Sequence, residues 1–168
     1  MPSEPVPREA ERDLVSQAQI AVAAADELLD EAVRSVRARV GVNDLPVDQL
    51  LDREQRATHA LAWLATYVEA VRQLCAYAQR MQSSGRLDEI ESLIVALGLG
   101  EYLAQMQGGI PMSQGEIARP SDMGLAVGAV ERRLAPCVDA FAHGNVQRRP
   151  AGRADAALGS GNRRGLRA

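Results

Sequence analysis

Apolar residues recur every three or four positions over long stretches of this chain, the spacing of amphipathic helices. From about residue 8 to 40 they run Leu14, Ala18, Val22, Ala25, Leu29, Ala32, Val36 and Val40, one stripe along a helix. Ile20, Leu28 and Val33 widen that stripe beyond a coiled-coil seam and suit a bundle core. Gly41 is a natural C-terminal cap, and Asn43, Asp44 and Pro46 mark a turn. A second helix is predicted from residue 47 or 51 to 82, with Leu61, Leu64, Val68, Val71, Leu74, Cys75, Ala78 and Met81 inward. A third, over 87–106, carries Asp88, Glu89 and Glu91 in its first turn, where carboxylates favour the positive end of the helix dipole. Its expected inward positions are Ile90, Leu93, Ile94, Leu97, Leu103 and Met106, and Gly98 and Gly100 predict a kink or break in its middle. A fourth helix is expected over 121–135, capped by Ser121 and ended or kinked by Pro136. No segment sustains period-two alternation, so no strand pairing is expected.

The result is an all-α fold, an up-and-down bundle of about four helices spanning 8–143. Residues 1–7 read as a flexible lead-in. Residues 144–168 are rich in Arg, Ala and Gly, with leucine at Leu158 and Leu166, and read as a disordered tail. Short turns between long helices favour antiparallel neighbours.

Composition narrows the function. The formal net charge of −3 is uneven: residues 1–147 sum to −8 and residues 148–168 to +5. The body is mildly acidic and offers no basic face for a phosphate backbone, so no nucleic-acid partner is expected. Every basic residue is arginine. No apolar run is long enough to cross a bilayer, and the Pro-rich, acidic start is unlike a signal peptide. Cys75 and Cys137 are too few for a disulfide framework and read as buried thiols of a reducing compartment, which places the chain in the cytoplasm.

Candidate chemistry is sparse. His59, Trp63 and Tyr67 share one face of the second helix, where the expected role of Trp63 and Tyr67 is packing, with Trp63 substantially buried. His59 and His143 each lack a Glu three residues before, which argues against a carboxylate-bridged metal site. Gly108-Gly109 lacks the strand and the spacing of a dinucleotide fingerprint. No catalytic, cofactor-binding or metal-binding residue is assigned. The segment that stands out is Gly108-Gly109-Ile110-Pro111-Met112-Ser113-Gln114-Gly115-Glu116-Ile117-Ala118-Arg119-Pro120. Its prolines and glycines commit it to a shape, and shaped loops often carry contacts. Gln114, Glu116 and Arg119 are its candidate interdomain contacts.

This loop, the stretch Asp52–Ala70 around Trp63-Leu64-Ala65-Thr66-Tyr67, and Gly100-Glu101-Tyr102-Leu103-Ala104-Gln105-Met106 together resemble the N-terminal extension of the methylsuccinyl-CoA branch of flavin-dependent acyl-CoA dehydrogenases. The resemblance is clearest from about Leu51 to Leu125. It implies a complete relative that oxidises an acyl-CoA thioester, FAD taking a hydride while a glutamate removes a proton. It places FAD, acyl-CoA and glutamate in a core that this sequence does not match, so no such residue is carried over. The chain itself is then expected to be inactive and without cofactor, a truncated or frameshifted relative whose partner is the dehydrogenase core or a second subunit. A free-standing helical interaction module is the alternative.

Overall fold

The computed structural model describes residues 9–41 and 46–143. The all-α expectation holds. Helix α1 spans Glu9–Val40, α2 Val47–Arg53, α3 Gln55–Ser83, α4 Glu89–Gly108 and α5 Val127–His143. The expected lead-in 1–7 and tail 144–168 lie outside the described residues.

Alternation of small and large side chains sets the packing. Ala18, Ala21, Ala25 and Ala32 of α1 are fully buried, which lets α3 approach closely through Leu64, Val68 and Val71. Arg72 meets Asp26 at 2.8 Å, and Arg39 lies 3.9 Å from Glu54. Later positions on α1 thus meet earlier positions on α3, so the two run antiparallel. Tyr77 bonds Glu91, while Tyr67 donates to Gln105 Oε1 at 2.7 Å, which sets α4 antiparallel to α3 by the same reasoning. Leu28, Leu99, Leu103, Met106, Met123 and Leu134 fill the centre.

Five expectations are corrected. The helix predicted from residue 47 or 51 to 82 bends at Glu54 and divides into α2 and α3. Thr58 Oγ1 donates to the carbonyls of Glu54 and Gln55 at 3.2 and 3.1 Å, and such back-bonding bends helices. Helix α4, in contrast, runs unbroken through Gly98 and Gly100. A Cβ on Gly98 would stand 3.0 Å from Leu74 Cδ1, and one on Gly100 would stand 3.4 Å from Phe141 Cβ. These glycines serve close helix–helix approach rather than a kink.

The buried face of α4 also differs from the expected one. Leu103 and Met106 are buried as expected, but Val95, Ala96 and Leu99 complete the inner face. Ile90, Leu93, Ile94 and Leu97 lie outside, and Ile20 of α1 is likewise exposed. Helix α4 is apolar around much of its circumference in its first half, so periodicity there did not determine which side faces the core. The fourth helix starts later than predicted, at Val127, and continues through Pro136 to His143. Pro136 and Arg132 are both exposed, so water can satisfy the carbonyl that loses its partner, while Leu134, Cys137 and Phe141 hold the opposite face in the core. Finally, the loop does contain strand pairing. Ile110–Pro111 (β1) and Ile117–Ala118 (β2) form a two-residue antiparallel ladder. Strands this short leave no readable alternation.

Candidate functional site

The ladder turns the Gly/Pro segment into a compact hairpin across the end of the bundle. Ile110 and Ala118 point into the core, and Met112 N–H donates to the Glu116 carbonyl at 2.8 Å. A single turn of 3-10 helix, Ser113–Gly115, forms the tip. Gln114 has φ 62° and Gly115 φ 79°, so the reversal depends on two left-handed residues. Gly109 has φ 136°, and a Cβ there would lie 2.5 Å from Ile117 Cγ2.

A second 3-10 turn, Pro120–Met123, links the hairpin to α5. Ser121, expected to cap the fourth helix, sits inside this turn. Asp122 takes over as anchor: its carboxylate accepts from the Arg119 backbone N–H at 2.8 Å and from Arg56 Nε at 2.9 Å. Arg39 donates to the Asp122 carbonyl at 2.9 Å, and Ser35 Oγ donates to the Met123 carbonyl at 2.7 Å. Gly124 (φ 80°) follows; a Cβ there would come within 2.5 Å of Arg39 Nη2 and 2.7 Å of Ser35 Oγ. Side chains of α1 and α3 thereby fasten the loop at its C-terminal root. Partial burial pushes the Asp122 carboxyl up. The Arg56 hydrogen bond, the Arg119 N–H and the charges of both arginines outweigh it and hold the group below the ordinary carboxylate range.

Gln114, Glu116 and Arg119 are all exposed, but the structure does not bring them together. Gln114 stands at the hairpin tip. Glu116 lines a hollow of about 280 Å³ shared with Arg56, His59 and Met112. Arg119 lines a separate groove of about 540 Å³, bordered by Gln107, Ser121, Val127 and Glu131. The hairpin therefore presents a polar ridge that borders two separate depressions. Arg39, Arg56 and Asp122, which hold this ridge, carry no distinguishing mark in the sequence. Asp122, three residues after Arg119, is the one signal available in retrospect.

The aromatic face of α3 is built for packing more than for chemistry. Tyr67 meets Tyr102 edge to face at 4.9 Å. Trp63 is partly buried and packs against the core, and its indole N–H donates to His59 Nε2 at 3.1 Å along its own helix. Burial raises the Cys75 and Cys137 thiols, and both cysteines are free. Among the described residues no cluster of His, Cys, Asp or Glu could hold a metal ion, and no helix is long and apolar enough to cross a membrane.

No protein-family model matches the chain. Comparison with individual proteins finds a (2S)-methylsuccinyl-CoA dehydrogenase of Cereibacter sphaeroides, 45% identical over 116 residues. The match takes in 69% of this chain and 21% of that enzyme. At that identity the two segments share ancestry, and the chain is a relative of one part, about a fifth, of a (2S)-methylsuccinyl-CoA dehydrogenase.

Proposed function

We propose that the chain is the accessory N-terminal helical domain of a flavin-dependent acyl-CoA dehydrogenase of the methylsuccinyl-CoA type, docking on the catalytic core or a second subunit through its hairpin. The observation that carries this reading is the 45% identity over 116 residues to a fifth of such an enzyme. In this reading FAD and the acyl-CoA are held by the remainder of the enzyme, and this chain contributes shape and contacts. The same similarity makes the free-standing interaction module the weaker reading. Two buried, unpaired thiols suit a cytoplasmic location.

The hairpin supports a docking role on physical grounds. Gln114, Glu116 and Arg119 offer an amide, a carboxylate and a guanidinium on a backbone already fixed by Asp122, Arg39 and Ser35. A pre-ordered loop loses little entropy on binding. Replacing these three exposed residues with alanine should alter stability by less than about 0.5 kcal/mol. In a full-length dehydrogenase carrying this segment, the same replacement should weaken domain association and slow acyl-CoA oxidation. Unchanged association and unchanged turnover would reduce the hairpin to a structural connection. Purified alone, the chain should be colourless and inactive toward acyl-CoA; flavin absorbance in the pure protein would overturn the assignment.

A further inference from the structure

The groove beside Arg119 contains a glycine that the fold does not require. Gly108 closes the last turn of α4, and a Cβ placed on it would meet nothing within 4 Å. The other glycines nearby have structural work: Gly98 and Gly100 admit Leu74 and Phe141, and Gly109 adopts φ 136°. Glycine in a helix is less stable than alanine, and one of its uses is to let another group approach the backbone closely. Gly108 lines the groove of about 540 Å³ at the root of the hairpin, so the space over its backbone is open to whatever enters there. Ala104, Pro120, Val127 and Val138 give that groove an apolar lining, and Val127 is 52% exposed.

Charge at the rim identifies the occupant. Arg119 leaves the hairpin on one side, and Glu131 projects from α5. Asp122 is already paired with Arg56, and neither Arg119 nor Glu131 forms a salt bridge among the described residues. An apolar centre framed by exposed, opposite charges is the anatomy of a protein–protein contact. A small molecule would need fixed polar groups inside the site to orient it, and among the described residues no polar or charged side chain is buried. We propose that this groove seats one segment of the dehydrogenase core: an apolar side chain laid over the Gly108 backbone, an acidic neighbour against Arg119 and a basic neighbour against Glu131. The assignment rests on the docking reading and deepens it, because it moves the centre of the contact from the hairpin tip to the groove at its root.

Thiol labelling tests it, since Cys75 and Cys137 are buried. Ala104→Cys reports on the groove and Gln114→Cys on the hairpin tip; both positions are exposed. Each is placed in the chain alone and in a full-length methylsuccinyl-CoA dehydrogenase carrying this segment, and alkylation by iodoacetamide is followed peptide by peptide. Ala104→Cys should react at least about tenfold more slowly in the full-length enzyme than in the chain alone. Adding Gly108→Leu, which fills the groove, or Arg119→Glu, which reverses its charge, should each return most of that reactivity, whereas Arg119→Lys should not. In the chain alone, Gly108→Ala should leave the urea midpoint unchanged or raise it. A lowered midpoint would show that the fold needs this glycine and would overturn the proposal. So would protection of Ala104→Cys that survives both Gly108→Leu and Arg119→Glu. Protection of Gln114→Cys without protection of Ala104→Cys would keep the docking reading and sink the groove; protection of neither would sink both.

Discussion

Removal of the Asp122 carboxylate is the most direct test of how the hairpin is held. Asp122→Ala deletes two bonds. The first is the charged acceptor for the Arg119 N–H at 2.8 Å, equivalent to a lost helix-cap bond of about 1 kcal/mol. The second is the contact with Arg56, whose side chain is 61% exposed, so solvent screens it and it adds little to the first. Bonds to the Asp122 and Met123 carbonyls survive, because Arg39 and Ser35 address the backbone. The expected loss is about 1–2 kcal/mol. Asp122→Asn retains an acceptor oxygen and should cost about half as much. Urea unfolding followed by dichroism reads this as a lower midpoint with unchanged slope. The pH dependence has a definite sign. The folded carboxyl titrates below its unfolded value, so its contribution is full above the ordinary carboxylate range, near pH 4, and is lost as pH falls through the folded value. The gap between wild type and Asp122→Ala should therefore be constant from neutral pH down to about 5 and close in stronger acid. A variant within about 0.3 kcal/mol of wild type at pH 7, or a gap that persists in strong acid, would refute this account of the anchor.

Three further outcomes are expected. Gly124→Ala should destabilise by about 2 kcal/mol, since a left-handed φ of 80° costs about 1–2 kcal/mol and the new methyl displaces Ser35 and Arg39; chemical denaturation measures it. Trp63→Ala should cost about 2–3 kcal/mol, less than the ~3–5 kcal/mol of a fully buried aromatic, because Trp63 packs on the core at its edge and keeps part of its ring in solvent; the shift in melting temperature reports it. Cys75 and Cys137 should react with a thiol reagent only on unfolding, as burial both shields the sulfurs and disfavours the thiolate; the rate with and without denaturant decides.

Much of the architecture was already written in the periodicity. The stripe from Leu14 to Val36 and that from Leu64 to Ala78 could serve only as inward faces of helices, and the short link between them required an antiparallel pair. Local pattern settles such matters because one strongly amphipathic helix has one energetically acceptable face. Where the pattern was two-sided it settled nothing. In α4, Ile90, Leu93, Ile94 and Leu97 compete with Val95, Ala96 and Leu99, and only packing against Leu74 and Phe141, through Gly98 and Gly100, decided which set went inside. The hairpin shows the same division. Its glycines and prolines mark a loop with a defined shape. The anchoring of that loop by Ser35, Arg39 and Arg56, drawn from helices far away in the chain, exists only once the bundle has formed. Sequence therefore determined which segments are helical and which one is a loop of defined shape. Tertiary structure alone decided the exposed strip on α4 and the charge network beneath the hairpin, because both arise from side chains whose neighbours are distant in sequence.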